Sequence, residues 1–484
     1  MKKKLVVIHG ALGSSVEMRN QVSVSDRKFE VVFLDILGHG KNSDKLDDFT
    51  YDNAKKRLAE ELEKVGECFI FGFSMGGYLA LDLAIENHPS IKGIVTLGTK
   101  LAWTLESAKN EVKFLDETLL KTKQEAFYNH LVSLHGDNLP KLLEKTASVM
   151  MELGSFPRVT SAKFKNVSIP IRLIRGGKDK MVSKEESLEI VSSNSLAQYF
   201  EISHFIHPIA YLNAKHVGVL VETHIDSLGY KWVNTKEGKV AYKKIEIDSS
   251  SSPTILFLHE ALGSIAQWKD FPEKLCHRLG CNGVVTELIG YGYSDATEIK
   301  RNRDYLRFFG KEHIPELVDA LQLDSKLLLV GHSDGGTNAL FYARYFEEKV
   351  FGVVTFAAHC INEAVTRNGI FPAIEAYQNN KLKGLEVFHG AKTEKVFYDW
   401  AETWLSEDYK NWDITEEIKG INRPGLIIQG EFDQYGTEKQ VSLIADSFDA
   451  SVEKLLLKCG HAPHLEDETN VLSAIEIWYS RLKQ

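Results

Sequence analysis

The sequence predicts an α/β protein of two similar domains, each a mostly parallel sheet flanked by helices. Three observations carry this prediction. Four motifs occur twice, in one order and at similar spacing; most begin with a run of apolar, often β-branched residues; and segments of helical spacing lie between them. Unbroken apolar runs suit strands buried on both faces, and strands alternating with helices imply a parallel sheet covered on both sides. At 484 residues the chain exceeds what one hydrophobic core usually supports. A repeat spanning about half of it means whole domains, because solenoid units run only roughly 20 to 50 residues.

The first motif runs from Lys4 through His9 to Ser14 (KLVVIHGALGS) and returns from Thr254 through His259 to Ser264 (TILFLHEALGS). The second, Val31 to Gly40 (VVFLDILGHG), returns as Val284 to Ser294 (VVTELIGYGYS). Phe69 to Gly77 (FIFGFSMGG) matches Leu328 to Gly336 (LLVGHSDGG), and Ile171 to Asp179 (IRLIRGGKD) matches Leu426 to Asp433 (LIIQGEFD). Tyr51 to Val65 and Ala339 to Phe346 have the spacing of helices between strands. Val217 to Ile225 reads as the last helix of the first half. Residues 230–247 alternate as two strands around Lys236, Glu237 and Gly238, and Ser249 to Pro253 forms a polar break. The expected domains are therefore 1–226 and 227–484. Only four residues precede Leu5, so the first sheet is expected to lack the antiparallel hairpin of the second.

Composition narrows the classes of function. With 43% apolar and 26% charged residues the chain reads as soluble and globular, which excludes disordered, collagen-like and membrane-spanning bodies. The net charge of −9 has no dominant block, so neither nucleic acid nor a membrane surface is an expected partner. After Met1 and three lysines only Leu5 to Ile8 are apolar, too few for a signal peptide, and the reading is cytoplasmic. Cys68, Cys276, Cys281, Cys360 and Cys459 form no C-x-x-C pair; buried small hydrophobes are expected, not a zinc site or disulfides.

The chemistry is expected where G-x-S-x-G follows a strand and precedes a helix, at Ser74 and Ser333. Such a serine sits on a strained strand-to-helix turn whose glycines let backbone segments approach, and the following helix directs its N-terminal amides at the site. Composition alone would produce the pattern on the order of 0.2 times in such a chain, so two copies in matched contexts are not accidents. A hydroxyl needs a base to take its proton, and the base needs an acid to hold its tautomer. Asp179 and Asp433, each after an apolar strand and a Gly-containing turn, are the expected acids. His461 is the expected base of the second half, 28 positions after Asp433. The first half offers two. His207 is also 28 positions after its acid, whereas His204 matches the local pattern of His461 and His464. Spacing favours His207, and His204 is the alternative. The oxyanion donors expected by position are the backbone N–H groups of Ala11 and Met75, and of Ala261 and Asp334.

These motifs, in the order Ser, Asp, His, make both halves resemble the α/β-hydrolase fold, and the resemblance covers nearly the whole chain. It implies serine hydrolase chemistry on esters, thioesters, lactones or C–C bonds, with a small-molecule substrate, no cofactor and no metal. Serines at both elbows argue against the members of that fold that use an Asp nucleophile. Glu260 departs from the family pattern, which has glycine after the histidine, so a side chain there is expected to narrow the second site or add charge to it. The resemblance also implies helical lid inserts at about 99–167 and 357–421. Trp103, Trp400 and Trp404 are candidate pocket residues in them, although most aromatics there, Trp412 included, are expected to pack the lid onto the core. His9, His39, His259, His332 and His359 are read as supporting or packing residues. The expected function is hydrolysis of ester-like or related small apolar substrates through an acyl-enzyme in each domain. Alternatives are one catalytic domain beside a structural or regulatory one, and a ligand receptor that uses hydrolase pockets.

Overall fold

Apolar runs become strands in both halves of the computed structural model, which describes residues 2–247 and 253–483. The chain divides into two compact units, Met1–Gly229 and Tyr230–Gln484. The first contains β1 (Lys3–Ile8), β2 (Phe29–Leu34), β3 (Cys68–Phe73), β4 (Ile91–Leu97), β5 (Ile171–Gly176) and β6 (Ala197–Ile202). They pair in the order β2-β1-β3-β4-β5-β6, every pair parallel. Leu5 to Ile8 in β1 are completely buried, which explains their unbroken apolar run.

Helix Tyr51–Val65 illustrates how the connections form. Thr50 accepts the Asn53 N–H at its start, Gly66 at φ +78° follows its end, and its buried residues Tyr51, Ala54, Leu58 and Leu62 lie on one face. The last helix of the unit spans Ala214–Ser227.

In the second unit a hairpin, β7 (Lys231–Thr235) and β8 (Gly238–Ile245), precedes β9 (Thr254–Leu258), β10 (Gly283–Thr286), β11 (Leu327–His332), β12 (Val350–Phe356), β13 (Gly425–Gly430) and β14 (Val452–Leu457). The order is β14-β13-β12-β11-β9-β10-β8-β7. β8 pairs antiparallel with both β7 and β10; the remaining pairs are parallel. Among the described residues the first sheet ends at β2 with no such hairpin. Of the polar break expected at Ser249 to Pro253, all but Pro253 lies outside the described residues.

Each unit has its own apolar core. Between β4 and β5 the first chain segment forms helices Leu105–Val112, Glu117–Lys123, Glu125–His135 and Leu139–Ser155. Between β12 and β13 the longest helices are Ala364–Gln378 and Thr393–Leu405. In both sheets the chain leaves the central strand (β1 or β9) for a neighbour on one side and returns on the other. This reversal opens a crevice at the carboxyl ends of the strands, where ligands bind in open α/β sheets. Among the described residues no helix is long and apolar enough to cross a membrane. All five cysteines are buried and free.

Candidate active site

Ser74 and Ser333 occupy matching turns at the ends of β3 and β11. Their backbones lie at φ 49°, ψ −115° and φ 53°, ψ −118°, a conformation unfavourable for a side chain with a Cβ. The turn is held on both sides: the Ser74 N–H donates to the Leu97 carbonyl at 2.9 Å, and the Ser333 N–H to that of Phe356 at 2.8 Å. Close approach explains the glycine that ends each motif. A Cβ on Gly76 would stand 2.4 Å from the His9 carbonyl oxygen, and one on Gly335 2.1 Å from that of Leu258. Helices Met75–Ile85 and Asp334–Tyr345 begin at once, with their first amides unbonded within the helix and directed at the site.

In the first unit Ser74, His207 and Asp179 form a continuous chain. Ser74 Oγ lies 3.2 Å from His207 Nε2, and His207 Nδ1 donates to Asp179 Oδ2 at 2.8 Å. Asp179 Oδ1 accepts the N–H groups of Met181 and Val182 at 2.8 and 3.0 Å. Burial would raise the carboxyl of Asp179, but the His207 ring and those two amides outweigh it and hold it below its ordinary value. An ionised Asp179 fixes the proton on Nδ1, which leaves Nε2 to accept from the serine.

The second unit repeats the acid–base pair. His461 Nδ1 is 2.9 Å from both oxygens of Asp433, which also accepts from the Tyr435 N–H (2.8 Å) and Gln429 Nε2 (2.6 Å). Burial opposes ionisation of Asp433, yet His461 and the Tyr435 amide lower its carboxyl. The His461 imidazole is raised, its burial outweighed by Asp433 and by the charges of Glu260 and Asp334. Ser333 and His461 line one cavity, but among the described residues no hydrogen bond joins them.

The structure places His207, and not His204, beside the serine. In each unit the residue before the acid ties the acid loop to the base loop: Lys178 N–H donates to the Phe205 carbonyl and Phe432 N–H to that of Cys459, both at 3.0 Å. His207 and His461 each stand two residues beyond that carbonyl. The first unit has one more residue between the strand end and this anchor, so His207 stands five residues past Ile202 where His461 stands four past Leu457. His204 packs edge-on against Phe205 and His216 and takes no part in the cavity wall.

The loops after β1 and β9 are built alike. His9 Nε2 accepts the Ile36 N–H at 3.0 Å, and Nδ1 donates to the Gly10 carbonyl at 2.7 Å. His259 does the same with Leu288 and with the Glu260 carbonyl. A peptide whose C=O is turned toward the ring turns its N–H away from it. The N–H groups so oriented belong to Ala11 and Ala261, which line the two cavities together with Met75 and Asp334. None of these four amides meets a protein acceptor among the described residues.

The cavities differ greatly. The first encloses about 540 Å³, and Phe73, Trp103, Phe114, Phe127, Met150 and Ile206 are among its apolar walls. The second encloses about 60 Å³ between Trp400, Trp404, Tyr435, Thr366 and His359, with Glu260 at its edge. All three candidate tryptophans therefore face a cavity, and Trp412 packs instead on Trp404 and Tyr409. His359, read from sequence as packing, is in the second cavity wall.

One network escaped sequence reasoning. Trp404 Nε1 donates to Tyr305 Oη at 2.9 Å, and Tyr305 donates to Asp334 Oδ2 at 2.7 Å. Burial pushes the Asp334 carboxyl up to about 6 despite the nearby Arg301 guanidinium. The sequence signal was the aspartate directly after Ser333, where the first unit has Met75.

The family model described as the alpha/beta hydrolase fold matches residues 3–214 and again 253–381. The chain belongs to this family, and it carries the fold twice. Among curated relatives, the 2-hydroxy-6-oxo-6-(2'-aminophenyl)hexa-2,4-dienoic acid hydrolase of Metapseudomonas resinovorans is 21% identical over 41% of this chain and 73% of its own length. The proline iminopeptidase of Heyndrickxia coagulans is 24% identical over 50% of this chain and 96% of its own. A solved thermophilic esterase from Thermogutta terrifontis is 19% identical, covers 53% of this chain and 99% of its own, and gives a TM-score of 0.41. A general hydrolase function follows from the family and the two curated relatives.

Proposed function

We propose that the protein is a two-site serine hydrolase that cleaves ester-like or related small apolar substrates through an acyl-enzyme. The observation that carries this reading is the run Ser74 Oγ to His207 Nε2 (3.2 Å) and His207 Nδ1 to Asp179 Oδ2 (2.8 Å), opening on an apolar cavity of about 540 Å³. His207 takes the Ser74 proton as Oγ attacks the substrate carbonyl, and the resulting oxyanion accepts from the Ala11 and Met75 N–H groups. Collapse expels the leaving group, which takes the proton back from His207. Water then loses a proton to His207, attacks the acyl carbonyl, and frees the acid and Ser74.

In the second unit Ser333, His461 and Asp433 take the same roles, with Ala261 and Asp334 as amide donors. The cavity of about 60 Å³ favours small acyl groups there. That small cavity, together with a serine not hydrogen-bonded to its base, also favours a second reading, in which the first unit carries most turnover and the second is regulatory.

Hydrolysis of p-nitrophenyl acetate by Ser74→Ala, Ser333→Ala and the double variant tests the reading. Each single variant is expected to retain the other site's share, and the double variant to lose at least about 10³-fold. Activity that survives the double replacement would refute the nucleophile assignment.

A further inference from the structure

We infer that the second unit holds a divalent transition-metal ion, zinc by its donor set, on Glu260, His332 and His461. One ligand-capable atom from each of the three lies within 4.8 Å of the others. The hydrogen bonds decide which atoms these are. His332 Nε2 donates to the His461 carbonyl at 2.8 Å, so its Nδ1 carries a lone pair, and that Nδ1 faces Glu260 Oε2 at 4.0 Å. His461 Nδ1 donates to Asp433, which leaves Nε2 as its free lone pair. With both rings neutral, three acceptors thus share one small space, and none of them has a hydrogen to offer the others. A water has only two hydrogens for three acceptors, whereas a cation satisfies all three.

Both imidazoles already have the arrangement of metal ligands, in which the far nitrogen donates to a carbonyl or carboxylate that fixes ring and tautomer. Two histidines and one carboxylate suit zinc, whose bonds of about 2.0–2.2 Å bring ligand atoms to about 3.4 Å of one another. The Glu260 side chain, 32% exposed, is the ligand free to swing in. The family resemblance and the cysteine spacing imply no metal, and these three residues are far apart in the chain.

The first unit is an internal control. At the corresponding positions it has Gly10, Phe73 and His207, so the two additional ligands belong to the second unit alone. Zinc on His461 Nε2 occupies the lone pair that would take the Ser333 proton, and the bound ion would silence that site while leaving Ser74 untouched. The silencing rests on the proposed hydrolase reading; the metal site does not.

The test is equilibrium dialysis of the full chain against zinc, with metal content read by mass spectrometry. Wild type is expected to hold about one zinc per chain more than Glu260→Gly/His332→Phe, which restores the first unit's residues, or than the milder Glu260→Gln. In Ser74→Ala protein, saturating zinc should lower fluorophosphonate labelling of Ser333 at least 10-fold, with recovery on chelation. Equal zinc content in wild type and both variants overturns the metal site. Labelling that zinc leaves unchanged, with the ion bound, overturns the silencing. Absence of labelling in metal-free protein would count against the hydrolase reading of this unit, and the stoichiometry would still decide the site.

Discussion

His9 Nδ1 lies 2.7 Å from the carbonyl oxygen of Gly10 and thereby sets the direction of the next amide, that of Ala11. In the proposed mechanism the ring acts on the reaction through that peptide. His9→Phe keeps an aromatic of similar size but releases the Gly10 carbonyl and leaves the Ile36 N–H without its acceptor. Loss of an oxyanion donor costs about 10²–10³ in kcat, and a loosened one should cost about 10–10². Steady-state kinetics in a Ser333→Ala background should therefore show a fall in kcat with KM nearly unchanged. An equal change in both would mean that the ring serves substrate binding.

Tyr305 gives the buried Asp334 carboxylate a hydroxyl donor, and Trp404 supports it. Removing one partner from a buried polar group costs about 1–3 kcal/mol. Tyr305→Phe should lower the stability of the second unit by that amount in urea unfolding, and slow hydrolysis at Ser333 more than at Ser74. The first unit, which has Met75 at the matching position, should unfold as before.

Cavity size should appear as chain-length preference. Ser333→Ala protein, working through the cavity of about 540 Å³, should prefer p-nitrophenyl octanoate to the acetate, because each buried methylene contributes about 0.8 kcal/mol. Ser74→Ala protein, confined to about 60 Å³, should show the reverse order. The same preference in both variants would mean that these cavities do not hold the acyl group.

Buried histidines should make the fold sensitive to acid. Burial lowers His9, His259 and His359 to about 4, and His224 and His389 to about 3. Unfolded, these rings protonate near the ordinary value of about 6.5. Between about pH 6.5 and 4 the unfolded state binds more protons, so stability rises with pH across that window and is lost as pH falls through it. Thermal unfolding followed by circular dichroism should show Tm falling steeply below about pH 6.5; a flat Tm down to pH 4 would contradict the neutral, buried rings.

Strands and elbows were legible because burial on both faces and a strained turn each demand particular residue types: Leu5 to Ile8 admit little but apolar side chains, and Gly76 admits no Cβ. The acids were legible for the same reason, since each follows a strand end. The choice between His204 and His207 was harder. A one-residue difference in the loop after β6 is invisible to motif matching, and it shows only in the tie between Lys178 and Phe205. The Tyr305, Trp404 and Asp334 network joins residues of three separate segments, and no local pattern announces such a contact. Glu260 was conspicuous as a departure, but its convergence with His332 and His461 required the fold.

The most direct test of the account is covalent labelling of the intact protein with a fluorophosphonate, with adducts located by peptide mass spectrometry. The expected adducts are on Ser74 and, in protein freed of metal by chelation, on Ser333, the first lost in His207→Ala and retained in His204→Ala. Intact, folded protein that carries no adduct on either serine would contradict the account.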